Sequence, residues 1–326
     1  MYLLSAGSRV TLTAEPSTPT HKRAMPEDPS HLTIPNNHTT NSSDIQSRVA
    51  VQTNDDLVRR IDSFLNEPCS PADPVRTATQ SKVRESLSVI QRALSEYGID
   101  SLTLSFNGGK DCLVLLLLYI YILSHTPHPA HRIPTCFVTP PHSFPEVDQF
   151  VTDCAERYGL DVVRIALPMR AAFEAYLAGH PGTKAVLVGT RRTDPHGENL
   201  THFDVTDHGW PKFMRVHPVI NWHYWEIWDV RNPSPPPQKD SAMALGLGWT
   251  YVDRSFCGLC RCHIVCCMIG GMIHIGWVRL TARFTSLGGT LDTHPNPLLK
   301  DGKGKGGFKP AYELQDETKE RYGRDR

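Results

Sequence analysis

Leu102-Thr103-Leu104-Ser105-Phe106-Asn107-Gly108-Gly109-Lys110-Asp111-Cys112 reads as a strand, a glycine turn and the start of a helix, because an apolar run from Leu113 to Leu123 follows it. That order builds an anion site. Gly108 and Gly109 let the backbone approach a ligand closely and adopt positive φ without strain. The free N–H groups of the helix's first turn, with the helix dipole behind them, then face the anion. The bland alternative is an ordinary strand-to-helix turn. Ser105, Asn107, Lys110 and Asp111, packed around the glycines, speak against it. A Walker A loop is a different pattern, with Ser or Thr after its Gly-Lys; here Asp111 follows Lys110.

Around this loop the chain alternates. Strands are expected over 101–106, 133–138, 161–165 and 184–189, and helices over 110–123, 145–158 and 168–178. Helical patterning also begins near Asp55 and resumes over 81–97. Such alternation indicates an α/β fold with a doubly wound, mostly parallel, Rossmann-like sheet. Ligands in these sheets bind at the carboxyl ends of the strands, near the point where the strand order reverses. Residues after Phe106, Val138 and Gly189 are therefore expected to line one crevice. The Ser-, Thr-, Pro- and Asn-rich residues 1–50 are expected to form a disordered tail.

Bulk properties narrow the partners. Lys plus Arg equals Asp plus Glu, at 34 each. A zero net charge argues against nucleic-acid binding driven by a general basic field. No run reaches the roughly 18 apolar residues that a membrane span needs; the longest candidates are Leu113–Leu123 and Ile264–Val278, the second interrupted by His274 and glycines. The first residues lack the layout of a secretory signal, although residues 1–14, with Arg9 and no acid, have the composition of a weak organelle-import signal. Cys69, Cys112, Cys136 and Cys154 are scattered, as suits reduced thiols. A cytoplasmic monomer acting on small molecules is expected.

A second cluster follows the fourth strand: Gly189-Thr190-Arg191-Arg192-Thr193-Asp194-Pro195-His196-Gly197. Arginine offers phosphate a forked donor, and aspartate can take Mg²⁺ that also bridges phosphates. A charged surface turn is the plain alternative. Then come Thr206-Asp207-His208-Gly209-Trp210-Pro211 and an aromatic stretch with Trp222, Tyr224, Trp225 and Trp228. Trp222 and Trp228 are expected in the core, Asp207 and Trp210 in the site. Phe284-Thr285-Ser286-Leu287-Gly288-Gly289 and Thr293-His294-Pro295-Asn296-Pro297 lie further on.

The Ser-Phe-Asn-Gly-Gly-Lys-Asp loop resembles the pyrophosphate loop of the adenine nucleotide α-hydrolase-like superfamily. Gly-Thr-Arg-Arg-Thr-Asp-Pro, Thr-Asp-x-Gly-Trp-Pro and Thr-Ser-Leu-Gly-Gly, in that order, make the chain resemble the eukaryotic, fungal-type FAD synthases over about 81–228 and 284–326. The resemblance implies transfer of AMP from ATP to FMN with Mg²⁺, giving FAD and pyrophosphate. It implies that Asn107 and Asp111 hold and polarise the triphosphate, with Asp111 alternatively acting through Mg²⁺. Ser105, Phe106, Gly108, Gly109, Lys110 and Gly189 would complete the cradle. Arg191 and Arg192 would neutralise phosphate, and Asp194, Asp207 and Trp210 would serve the flavin side. Glu320-Arg321-Tyr322-Gly323-Arg324 resembles the family's ending, where Arg321 and Arg324 would reach over the transferring phosphates. On this basis residues 51–231 are expected to be the ATP-binding domain and 284–326 a flavin-side extension.

Residues 232–283 depart from the family pattern. They open with Pro233-Ser234-Pro235-Pro236-Pro237, and Cys257, Cys260, Cys262, Cys266 and Cys267 crowd into the middle. They read as an anomalous insertion, possible intron read-through; a genuine insertion with a zinc knuckle is the alternative. Two other functions compete. A PAPS reductase or sulfurylase relative shares the loop, but a reductase needs a cysteine in its C-terminal tail and none follows Cys267. A catalytically impaired nucleotide-binding relative is the other.

Overall fold

The computed structural model describes residues 42–68, 74–127, 132–229, 284–301, 307–309 and 311–325. Two long helices come first, α1 (Ser42–Asn66) and α2 (Pro74–Tyr97). β1 (Leu102–Ser105) leads to α3 (Lys110–Ser124), β2 (Ile133–Val138) to α4 (Pro145–Tyr158), and β3 (Leu160–Ile165) to α5 (Met169–Gly179). β4 (Ala185–Leu187), β5 (Phe203–Val205), β6 (Met214–Val216) and α6 (Tyr224–Asp229) complete the domain.

The sheet order is β3-β2-β1-β4-β6-β5, parallel except for β5, which runs antiparallel to β6 at one edge. The expected doubly wound sheet is therefore present. From β1 the chain builds outward through β2 and β3, then crosses back to place β4 on β1's other side. The order reverses between β1 and β4, and their carboxyl ends open the crevice there.

Both faces are covered, as a parallel sheet requires. In β1, Leu102 and Leu104 face one core with α1 to α4, while Thr103 between them points to α5, 3.1 Å from the Tyr176 hydroxyl. β4 repeats the alternation: Ala185 and Leu187 join the first core, and Val186 joins Phe173, Tyr176 and Phe213 on the second. α3 is buried along almost its whole length, from Cys112 to Leu123, which explains a sequence apolar on every side.

Three details differ from expectation. α1 starts at Ser42, inside the stretch read as a tail, and residues 1–41 lie outside the described residues. β4 is shorter than 184–189, although Lys184 N and Val188 N still donate to Ser101 O and Val216 O at 2.9 and 2.8 Å on either side of it. β5 and β6 were not anticipated: three-residue strands carry too little alternation to stand out. The insertion and its cysteine cluster, 232–283, also lie outside the described residues. Among the described residues, no helix is long and apolar enough to cross a membrane. Cys112, Cys136 and Cys154 are buried free thiols.

After Phe284 the chain forms short 3₁₀ turns that pack across the carboxyl ends of the sheet. Phe284 meets Phe144 and Val147 at the start of α4. Leu299, Ala311 and Leu314 pack on Tyr224 and Trp228 of α6. Trp222 and Trp228 are core residues, as their setting in the sequence suggested.

Candidate active site

β1 ends at Ser105, and Phe106 still belongs to the sheet's frame. Its N–H donates to Cys136 O at 3.0 Å and its ring is buried against Phe150. Phe106 is thus a wall of the core and does not face the crevice. The turn follows. Gly108 has φ +70°, the left-handed region that favours glycine, and a Cβ there would press Val147 and Val151 at 3.0 and 3.1 Å. Asn107 is exposed, and its Oδ1 accepts from Gly109 N at 2.9 Å, which closes the turn. Gly109 is the N-cap of α3 and offers no side-chain hydrogen bond. No side chain at the N-cap bonds the first turn of α3, and a helix N-terminus of this kind suits an anion.

The turn after β4 approaches from the other side. A Cβ on Gly189 would lie 2.8 Å from Cys112 Sγ and 2.9 Å from Cys112 N. Gly189 is therefore a close-packing glycine that lets the β4 turn sit against α3's first turn. Arg191 follows with its side chain fully buried (0% exposed). Its Nε is 2.7 Å from Asp111 Oδ1, and its Nη2 donates to Glu320 Oε2 at 2.5 Å. Lys110 Nζ lies 3.1 Å from Asp111 Oδ2 and 2.5 Å from Glu320 Oε1. Asp194 Oδ2 accepts from Arg191 N at 2.8 Å.

The electrostatics follow from this packing. Burial disfavours the charged form of Asp111, but the Lys110 and Arg191 cations overcome it and hold the carboxyl below its ordinary range. Burial likewise opposes the charge on Lys110, and Asp111 and Glu320 reverse that, raising its pKa. Asp194 goes the other way: burial and the neighbouring Asp111 charge raise it. Burial pushes the Cys112 thiol up to about 12, so it is no nucleophile at neutral pH.

Five further residues named from sequence lie outside this cluster. Arg192 points away, donating to Glu198 O, Leu200 O and Asn221 Oδ1, so it braces the turn rather than the cluster. Asp207 and Trp210 sit in the β5–β6 turn. That turn leaves the sheet beside Met214, which pairs with Ala185 at the amino ends of the parallel strands. It folds back along α5, where Trp210 lies against Phe173 and Gly209 approaches the Arg170 guanidinium. Arg324 bonds within its own segment, to Leu287 O at 2.6 Å and Asp292 Oδ2 at 2.9 Å. Arg321 is exposed. Glu320, missed as a site residue, sits in the cluster; a fully paired buried carboxylate leaves no signal in a charged tail.

The Phosphoadenosine phosphosulfate reductase domain, a protein family, matches residues 101–181 and 172–232. The Probable FAD synthase of Schizosaccharomyces pombe is 38% identical over 251 residues, 76% of this chain and 80% of that protein. The chain belongs to the FAD synthase family. Its relatives include the flavin adenine dinucleotide synthase of Saccharomyces cerevisiae, 29% identical over 69% of this chain and 66% of that protein. The fold is that of the Candida glabrata FMN adenylyltransferase solved with FMN and the ATP analogue AMPCPP, with a TM-score of 0.64 at 23% identity, covering 85% of this chain and 99% of that one. Family membership agrees with the order of motifs and sets aside the reductase alternative.

Proposed function

We propose that this chain is an FMN adenylyltransferase, joining the AMP part of ATP to the phosphate of FMN and releasing pyrophosphate. The observation that carries the reading is the pair of buried cations, Lys110 and Arg191, set beside the open N-terminus of α3 where the strand order reverses. Phosphoryl and nucleotidyl transfers need little covalent chemistry from a protein; positioning and charge neutralisation supply most of the rate.

The N–H groups at Lys110 and Asp111 and the Gly108–Gly109 backbone cradle the triphosphate. Lys110 and Arg191 neutralise charge on the leaving pyrophosphate. An FMN phosphate oxygen attacks the α-phosphorus in line, the bond to the β-phosphate oxygen breaks, and no enzyme nucleophile takes part. Asp194 stands at the rim of the cluster, and Asp207 with Trp210 form a turn suited to the flavin.

Mg²⁺ is expected to arrive on the triphosphate as part of the substrate. Each oxygen of Asp111 lies against a cation, so Asp111 does not fit as a resident metal ligand in this arrangement. Among the described residues no group of three or more His, Cys, Asp or Glu is placed to hold an ion. A monomer in the cytoplasm remains the expected setting.

The direct test incubates the full chain with FMN, ATP and Mg²⁺ and separates the flavins by chromatography. FAD formed with equimolar pyrophosphate is the expected result. ATP consumed without FAD would move the acceptor away from FMN.

A further inference from the structure

Glu320 comes from the far end of the chain and closes the cluster. Its side chain is 9% exposed, and its two oxygens each meet a different cation, Lys110 Nζ and Arg191 Nη2, both at 2.5 Å. The residue is held from behind. Thr285 Oγ1 donates to Glu320 O at 2.5 Å, and buried Asn296 donates through Nδ2 to Thr285 Oγ1 and to Lys319 O, both at 2.9 Å. Asn296 Oδ1 accepts from Leu298 N at 3.1 Å, which fixes the amide's orientation. The Thr-Ser-Leu-Gly-Gly and His-Pro-Asn-Pro strings thus hold two successive backbone carbonyls, Lys319 O through Asn296 and Glu320 O through Thr285.

With Asp194 at its rim the cluster sets two cations against three carboxyl groups, so it carries no surplus positive charge. What it has instead is direction. Lys110 gives two of its three donors to Asp111 and Glu320. Arg191 sets Nε 2.7 Å from Asp111 Oδ1 as an ion pair and donates through Nη2 to Glu320; Nε and Nη1 are both buried with no hydrogen-bond partner among the described residues, and Nη1 has no ion-pair partner there either. A buried donor without an acceptor is costly, and its presence beside an open helix N-terminus suits an acceptor that arrives with a ligand.

Building on the function proposed above, we propose that Glu320 is a positioning residue. Braced by Thr285 and Asn296, its carboxylate aims the remaining N–H of Arg191 and of Lys110 at one phosphate of the bound nucleotide. The last described turn of the chain thereby acts on the first loop of the sheet, without touching substrate itself.

The test is titration calorimetry on the full chain with Mg²⁺, using inorganic pyrophosphate and ATP as probes, with FMN titrated in parallel. Glu320→Gln puts an amide N–H₂ against a cation and is expected to weaken pyrophosphate and ATP binding about tenfold, the loss of one charge-assisted contact. FMN binding should not change. Glu320→Asp, which keeps the charge, should fall between the two. If Glu320 acts through Lys110, Lys110→Met with Glu320→Gln should bind no more weakly than Lys110→Met alone. Should Glu320→Gln destabilise the fold, Thr285→Val, which loosens the brace from behind, gives the same readout; its expected effect is smaller and in the same direction.

Unchanged or tighter pyrophosphate binding in Glu320→Gln overturns the proposal, the tighter case meaning that the carboxylate merely occupies the phosphate's place. An equal loss of FMN binding also overturns it, as the mark of general disruption. If the unaltered chain binds pyrophosphate and ATP but forms no FAD, the acceptor reading fails while the Glu320 result still stands on binding alone.

Discussion

The β1–α3 cradle and the β5–β6 turn are both in the site as read from sequence, yet they are built in opposite ways. In the cradle, Lys110, Asp111, Arg191 and Glu320 pair with one another in a buried cluster. In the turn, the Asp207 side chain is 61% exposed, His208 is its one ionisable neighbour among the described residues, at 3.5 Å, and His208 itself has φ +50°. The cradle is preorganised: its donors are in place before substrate arrives, which is what electrostatic catalysis needs. The turn is anchored by Trp210 on Phe173 and leaves its carboxylate in water, so any order it gains must come from a ligand. Mutations should therefore cost stability and rate together in the cradle, and only substrate affinity in the turn.

The largest effect should come from Arg191→Met. It leaves Asp111 and Glu320 to share Lys110 as their one remaining cation among the described residues, which costs up to about 3–5 kcal/mol of stability, and removes a phosphate partner worth on the order of 100-fold or more in turnover. Thermal melting and FAD formation would measure the two. A variant that melts normally would mean the cluster is not the rigid half of the comparison. Gly189→Ala should come next. Its Cβ would sit 2.8 Å from Cys112 Sγ, and overpacking of this kind costs about 1–3 kcal/mol; weaker ATP binding should accompany it as α3's first turn is pushed aside.

Asp207→Ala tests the other half. With its side chain in water, stability should stay within about 0.5 kcal/mol, while the KM for FMN rises and that for ATP does not. No change in either KM would take the turn out of the site. The last test depends on pH and concerns His217, just past β6. Burial and the nearby Arg215 cation hold its pKa down at about 4, against an ordinary 6.5. A histidine buried neutral stabilises the fold above its unfolded pKa, and that contribution is lost as pH falls through the folded value. Melting temperature should therefore decline between pH 6.5 and about 4, and His217→Phe should make the decline shallower.

Much of the fold was legible because its signals are local. Helix α4 and strand β2 were placed to the residue, since Pro145 opens one and Ile133 to Val138, apolar but for Thr135, makes the other. The turn between β1 and α3 was legible for the same reason: Gly108, Gly109, Lys110 and Asp111 are contiguous, and they join a strand to a helix as read. Arg192 shows the limit. It is the neighbour of Arg191 and chemically identical to it, yet it braces Glu198 and Leu200 through their carbonyls, because successive residues in a turn point in different directions.

By itself the sequence determined the doubly wound sheet, the position of its crevice and the residues of the first loop, because hydrophobic period and glycine placement act over a few residues. Only the tertiary structure decided which charges meet. Lys110, Arg191 and Glu320 come from three separate parts of the chain and converge because the sheet order brings β1 and β4 together and Thr285 and Asn296 hold the last turn against them. Ion pairing depends on distance in space, and no spacing along the chain encodes it.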